Sequence, residues 1–277
     1  MPTELIAVIL ALVQGLAEFL PISSSGHLAL MQNILGLTSP EVAFDIVLHM
    51  ATLLAVMLFY RHTILDILRE IKTLPEIFRK GPPQAVLFYK TRPNFRFACL
   101  ICAASVPTGI IGLLFQDFFI KLTTSTLAVG IALLLTGCIL KASGKKSGDE
   151  GRGIEEMTLK DALIIGLMQG VAVTPGISRS GTTISTALIL GLRRDLAAKF
   201  SFLLSIPAIV GALLIESLNG FESPFRATEF ALGFTVAAVS GYLALSLLVF
   251  IIKKNSFSKF AYYCWAVGIA AIVWSVA

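Results

Sequence analysis

The sequence predicts an all-α polytopic membrane protein, and three observations carry that prediction. Hydrophobic residues make up 56% of the 277 residues and charged residues only 14%, against about 25% charged in ordinary soluble chains. The mean hydropathy is +0.85. Apolar runs recur through the chain, and many of its 22 Gly and 11 Pro fall inside them, a habit of membrane helices. No alternating strand pattern of barrel type is present. An unusually apolar soluble protein is the alternative, and it would need buried helices without amphipathic faces.

Residues 5–13 are apolar but short, reaching about half of a roughly 30 Å hydrocarbon core at 1.5 Å per residue. The break P-I-S-S-S-G at 21–26 follows, then a second short leg from about Ser24 to Leu35. Two half-length legs joined by a polar tip describe a re-entrant hairpin, tolerable only where the tip is buried in protein or lines a cavity. One long kinked helix is the alternative.

Residues 42–60 are long enough to cross. Asp45 and His49 lie four apart on one face there, which should look toward protein rather than lipid. The loop 61–96 is net basic, and its Leu/Ile spacing between 64 and 78 predicts one surface-lying amphipathic helix ended by Gly81, Pro82 and Pro83. Crossings at about 97–116 and 122–141 follow. A second re-entrant candidate spans 161–191, broken at Thr174–Gly181. Crossings at about 197–216, 228–252 and 260–276 complete a plan of six crossings and two hairpins.

Charge orients this plan. The segments 61–96, 141–160 (with Lys145, Lys146 and Arg152), 193–199 and 253–259 are all net basic and belong on the cytoplasmic side. The connections 36–41 and 217–227 carry only Arg226 against Glu41, Glu222 and, at the membrane edge, Glu216. Both termini then lie outside. The first hairpin starts outside and the second inside, so the halves are inverted, as in proteins built from broken helices. One membrane domain results: a first repeat over about 1–141, a cytoplasmic linker over about 142–157 and a second repeat over about 158–277.

A net charge of +5 and a pI near 9.1 do not point to nucleic acid, because the basic residues sit in loops without interleaved aromatics. Cys99, Cys102, Cys138 and Cys264 lie in or beside apolar runs. The lone C-x-x-C lacks a second pair or a nearby His and reads as helix packing. The N-terminus, without a basic n-region or an A-x-A site, reads as part of the mature fold.

The chemistry concentrates in a stretch that occurs twice. Residues 14–26 read Q-G-L-A-E-F-L-P-I-S-S-S-G and residues 169–181 read Q-G-V-A-V-T-P-G-I-S-R-S-G, identical at Gln14/Gln169, Gly15/Gly170, Ala17/Ala172, Ile22/Ile177, Ser23/Ser178, Ser25/Ser180 and Gly26/Gly181. In the first copy Ser23, Ser24 and Ser25 open a helix, where free N–H groups favour an anion. Ser24 and His27 share a face, so the imidazole is expected within reach of the hydroxyl. Glu18 follows Gln14 by four; carboxylate and amide oxygen could hold a divalent cation, Mg²⁺ or Ca²⁺ rather than Zn²⁺, or orient His27. In the second copy Ser178, Ser180, Thr182 and Thr183 supply hydroxyls around the planar fork of Arg179, an expected phosphate cradle. It is not a P-loop, since G-x-x-x-x-G-K-[ST] is absent. Ordinary helix capping by the serines, with Arg179 as an interfacial anchor, is the plain alternative.

Gln14 to His27, with F-L-P-I-S-S-S-G-H, and Pro175 to Thr183, with P-G-I-S-R-S-G-T-T, resemble the paired motifs of the undecaprenyl-diphosphate phosphatase (bacitracin-resistance) family of bacterial membrane proteins. The resemblance extends over essentially the whole chain. It implies hydrolysis of undecaprenyl diphosphate to the monophosphate and inorganic phosphate, with recycling of the carrier lipid and bacitracin resistance. It further implies a divalent cation, a site toward the outer side of the plasma membrane, and importance of Glu18, Ser24, His27, Ser178, Arg179 and Thr183. Gln14 stands at the variable position of the acidic motif, one carboxylate fewer than in members with Glu. The lipid and the bilayer are the implied partners, and association into a homodimer is left open. Whether Ser24, His27 or water attacks phosphorus is also open, with Ser24 as nucleophile, His27 as base and Glu18 as its support the favoured assignment. The rival function is a flippase or transporter of a polyprenyl phosphate; a structural scaffold would leave both tips unexplained.

Overall fold

A computed structural model describes residues 2–37, 42–79, 81–144, 151–217, 225–254 and 256–276. The expectations for Glu41, Glu222, Lys145, Lys146 and residue 277, and for the side chain of Glu216, lie outside the described residues. The described chain is helical throughout, with one isolated β-bridge between Arg152 and Leu192.

The first helix, α1 (Thr3–Phe19), is longer than the apolar run 5–13. It continues through Gln14 and Glu18 because both side chains are buried against protein, at 0% and 7% exposure. The chain breaks over residues 20–23, and α2 (Ser24–Ile34) follows. Next come α3 (Val42–Phe59) and α4 (Arg61–Lys72), bent by 75° at Tyr60. None of the residues of α4 is buried, consistent with a surface-lying amphipathic helix.

The single helix expected over 64–78 is two. Pro75 lacks the N–H that would continue the ladder, so α5 (Leu74–Arg79) starts anew after Thr73. Pro82 and Pro83 open a helix rather than only ending one: α6 (Pro82–Thr91) has them in its first turn, after Gly81 at φ 93°.

Then follow α7 (Pro93–Leu114), α8 (Gln116–Thr123), α9 (Thr126–Ser143), α10 (Leu159–Val171), α11 (Arg179–Ile189), α12 (Arg194–Ser217), α13 (Ala227–Lys253) and α14 (Phe260–Val276). Five helices are long and apolar enough to cross a membrane, or six if the bent pair α3–α4 makes one span. The break in the second repeated stretch falls at 172–178, not 174–181, because Ser178 caps α11 and leaves Arg179, Ser180 and Gly181 in its first turn.

Helix pairing follows a regular scheme. α1 packs on α13 and α10 packs on α7; α3 packs on α13 and α12 on α7; α9 packs on α14. The repeated Gly15 and Gly170 explain the first two contacts. A Cβ on Gly15 would lie 2.9 Å from the Ala237 carbonyl oxygen of α13, and one on Gly170 would lie 2.6 Å from Ile111 of α7. Helices in lipid associate through such small-residue contacts. Pro107 and Pro207 lie within α7 and α12, which pack together. The largest apolar cluster, around Phe19, Phe97, Leu100, Phe200 and Phe202, lies where these helices meet.

Candidate active site

The two repeated tips touch. A Cβ on Gly26 would fall 2.9 Å from Cα of Gly176, itself at φ 92°, so the first turn of α2 lies directly against the second tip. Thr136 of α9 pins that tip from below, donating to the Gly176 carbonyl (2.9 Å) and accepting from the Ser178 N–H (3.0 Å). On the other side Ser23 caps α2 at φ 71°, the one non-glycine among the described residues with positive φ. Two helix N-termini, those of α2 and α11, therefore converge on one spot, where their dipoles favour negative charge.

Glu18 sits at that spot. Its side chain is 5% exposed. Oε2 accepts from Ser24 Oγ (2.6 Å) and Gln14 Nε2 (3.0 Å), while Arg179 Nη2 donates to Oε1. His49 Nε2 stands 3.9 Å from Oε2. Arg179 Nη1 is buried and has no partner among the described residues, and the same holds for Gln14 Oε1.

A cavity of about 800 Å³ opens over this cluster. Glu18, Ser23, Ser24, Ser25, Ser178 and Arg179 line it, together with Asp45 and His49 of α3, Gln169 of α10 and apolar residues of α12 such as Ile209 and Leu213. The acidic and hydroxyl set of one tip and the cationic set of the other thus share a single space.

Not every expected residue faces it. The His27 ring points away from Ser24: Nδ1 donates to the Ser23 carbonyl (2.8 Å), and Nε2 accepts from the Tyr263 hydroxyl (2.9 Å). His27 also stacks on Tyr263, with centroids 5.6 Å apart. Sharing a helical face did not bring imidazole to hydroxyl, because the ring closes back on the tip's own carbonyl. Three cradle hydroxyls are likewise directed elsewhere. Thr183 donates to the Arg179 carbonyl (2.8 Å) and meets Ser201 of α12 at 2.5 Å. Ser180 donates toward the Leu20 carbonyl (3.4 Å), and Thr182 is fully buried outside the cavity lining. Ser180 and Thr183 thus tie α11 to the first tip and to α12, Thr182 Oγ1 has no hydrogen-bond partner among the described residues, and of the expected cradle Ser178 and Arg179 line the cavity.

A family model described as bacitracin resistance protein BacA matches residues 7–270. The chain belongs to the BacA family. Among similar proteins, one of Halothermothrix orenii is 40% identical over 269 residues, covering 96% of each chain. One of Carboxydothermus hydrogenoformans is 42% identical over 273 residues, 96% of this chain and 95% of its own. One of Methanosphaera stadtmanae is 42% identical over 277 residues, 98% and 97% respectively. All three are named undecaprenyl-diphosphatase.

In this BacA-family chain several site residues were not legible from the motifs. Asp45 and His49 carried the expected protein-facing spacing, but no sequence signal tied them to Glu18. Asp45 accepts from Gln32 Nε2 at 3.1–3.2 Å, and its own carbonyl accepts from His49 Nδ1 (2.8 Å). Thr136, Ser201 and Tyr263 lie in unremarkable apolar runs and act only through contacts far away in sequence.

Proposed function

We propose that the chain hydrolyses undecaprenyl diphosphate to undecaprenyl phosphate and inorganic phosphate, recycling the carrier lipid for cell-wall synthesis and so conferring bacitracin resistance. The observation that carries this is the unpartnered Arg179 Nη1, a buried cationic donor held beside the Ser24–Glu18 hydrogen bond. A guanidinium with a free donor suits a phosphate oxygen, and a hydroxyl bonded to a carboxylate is an activated nucleophile. The relatives' names, undecaprenyl-diphosphatase, agree.

In the chemistry this geometry favours, the terminal phosphoryl group docks between the two helix N-termini and draws on Arg179. Ser24 Oγ attacks phosphorus as its proton passes to Glu18, now in the place assigned from sequence to His27. The bond from phosphorus to the bridging oxygen breaks, and the lipid monophosphate leaves with that oxygen, taking the proton from Glu18. Water then attacks the phosphoserine; Glu18 accepts a proton from it and returns one to Ser24 as inorganic phosphate departs.

The donors present fit a hard divalent cation, Mg²⁺ or Ca²⁺. Glu18 would hold it with the orphaned Gln14 Oε1, and Asp45 faces the same cavity. No group of three or more His, Cys, Asp or Glu able to hold a metal occurs among the described residues, so substrate oxygens would complete the shell. When bound, such an ion offsets phosphate charge.

Each tip belongs to a re-entrant hairpin, α1–α2 and α10–α11, and the chain comprises two inverted repeats. Support comes from the paired packing of α1 on α13 with α10 on α7, and of α3 on α13 with α12 on α7. The site faces the outer side of the plasma membrane, on the strength of the loop charges. Labelling of a cysteine at Ala85 by an impermeant external reagent in intact cells would contradict this orientation. A polyprenyl-phosphate flippase is not favoured, since translocation has no use for a Ser24–Glu18 pair and the relatives are named for hydrolysis. The direct test is phosphate release from undecaprenyl diphosphate by the purified chain; no release above a Glu18→Ala control overturns the assignment.

A further inference from the structure

Helix α4 leaves α3 at 75° and presents two unlike faces. On one, Ile64 and Ile67 pack against the main apolar cluster. Beside them Glu70 reaches the start of α7, accepting from the Phe95 N–H (2.7 Å) and from Asn94 Nδ2 (3.0 Å). The first amides of a helix have no partner within it, so a carboxylate is well placed there. Asp66 is bridged to Arg69 at 2.9 Å. Both acids of α4 are thus engaged within the protein. The opposite face is exposed. Arg61, Leu65, Leu68 and Lys72 follow at i, i+4, i+7 and i+11, which makes them one stripe about 16 Å long at 1.5 Å per residue. Leu65 and Leu68 are 46% and 47% exposed. Arg61 and Lys72 stand exposed at the two ends, and neither is in an ion pair among the described residues.

We infer that this stripe docks on a bilayer surface that carries anionic phospholipid. With α3 running across the bilayer, the 75° bend sets α4 near the membrane plane. There the two leucines reach below the head groups, while the long stems of Arg61 and Lys72 keep their charges at phosphate level. A neutral bilayer would satisfy the leucines but give the cations no counter-charge. An acidic soluble partner would do the reverse. An anionic bilayer matches both, and its surface potential draws in basic segments lying against it. The inference is independent of the hydrolase assignment, which uses none of these residues.

Amide hydrogen exchange on the full chain in nanodiscs tests this. Discs of phosphatidylcholine alone are compared with discs in which part of it is replaced by phosphatidylglycerol. Exchange over residues 61–72 should slow at least about fivefold in the anionic discs, with exchange over 93–114 unchanged as the control for folding. High salt should remove the slowing. In the double variant Arg61→Gln, Lys72→Gln the two lipid compositions should give the same exchange over α4. Equal exchange of the wild-type chain in both discs overturns the inference without recourse to a variant, and so does full slowing in the double variant. Inorganic phosphate added to neutral discs should have no effect; slowing there would make the stripe a site for a free anion and overturn the membrane docking. Slowing confined to discs that hold two copies, whatever the lipid, would assign the stripe to self-association and overturn it equally.

Discussion

Arg179 donates from Nη2 to Oε1 of Glu18, joining side chains 161 positions apart. Both are buried, the arginine side chain at 16% exposure and the glutamate at 5%. A buried pair of this kind is weak evidence for stability, since desolvation offsets most of the attraction. Its value lies in geometry: it presents Arg179 Nη1 beside Ser24 before substrate arrives. In the proposed reaction an incoming phosphate oxygen takes the unpartnered Nη1, while Nη2 keeps the Glu18 carboxylate beside Ser24 Oγ.

Removing that guanidinium should therefore be severe. Arg179→Ala is expected to lower kcat/KM for undecaprenyl diphosphate at least about 10²-fold, or about 2.7 kcal/mol. Arg179→Lys should recover little, because a single ammonium cannot bind Glu18 and a phosphate oxygen as a fork. Steady-state kinetics in detergent check both, and near-normal turnover by the alanine variant would exclude the clamp.

Ser24 is the hydroxyl held by Glu18 at 2.6 Å, whereas Ser23 caps α2. Ser24→Ala should thus abolish turnover although Ser23 and Ser25 remain, and Ser24→Cys should keep a trace. Rapid-quench labelling should trap acid-stable phosphoserine. Retention of more than about a tenth of wild-type kcat in Ser24→Ala, a loss below roughly 1.4 kcal/mol, would make Ser24 a substrate-positioning group and leave water as the attacking nucleophile.

His27 positions the tip. With Nδ1 on Ser23 and Nε2 on Tyr263, it holds the strained Ser23 backbone in place. His27→Gln should lower kcat/KM while keeping the shape of its pH profile. Tyr263→Phe should act in the same direction by less, since one neutral hydrogen bond contributes about 0.5–1.5 kcal/mol. Loss of an ionisation limb in His27→Gln, measured from pH 5 to 9, would instead give His27 the proton transfer.

Chelation tests the cation. Exhaustive removal of divalent ions, verified by elemental analysis, should abolish phosphate release, with Mg²⁺ or Ca²⁺ restoring it. Full activity in the metal-free protein would take the ion out of the reaction.

Arg152 and Asp161 offer a stability test away from the chemistry. Arg152 binds Asp161 through two bonds of 2.9 and 3.0 Å and also donates to the Leu190 carbonyl (2.7 Å). Asp161 completes a capping box with Thr158 at the start of α10. Asp161→Ala loses bridge and cap together and should lower stability by at least about 1 kcal/mol, read as a fall in Tm in detergent. An unchanged Tm would mean that Arg152 does not brace α10.

The spacing of apolar runs sufficed to anticipate α3, α7, α9, α12, α13 and α14, because lipid forces backbone polar groups to pair within a segment. Where the plan missed, local chemistry overrode the pattern: Pro75 split the surface helix, and Ser178 capped α11 earlier than the run of hydroxyls implied. α1 outran its apolar stretch because Gln14 and Glu18 bond to each other inside the protein.

The repeated stretch likewise points to Glu18, Ser24 and Arg179, since ionisable and hydroxyl groups persist in an apolar chain only where something binds them. What the sequence could not decide was direction. Helical spacing allowed His27 to meet Ser24, and only the packing of α14 turned its ring to Tyr263. Ser180, Thr182 and Thr183 had the right chemistry for a cradle, yet the fit of α11 against α12 and the first tip turned their hydroxyls away from the cavity. His49 and Asp45 entered the site for the converse reason. The sequence by itself determined a helical membrane chain and the two polar tips proposed to carry its chemistry, because hydropathy and residue type are local properties. Which side chains of those tips face one another was decided only by tertiary structure, because a hydrogen bond needs about 3 Å and residues more than a hundred positions apart reach it only when helices pack.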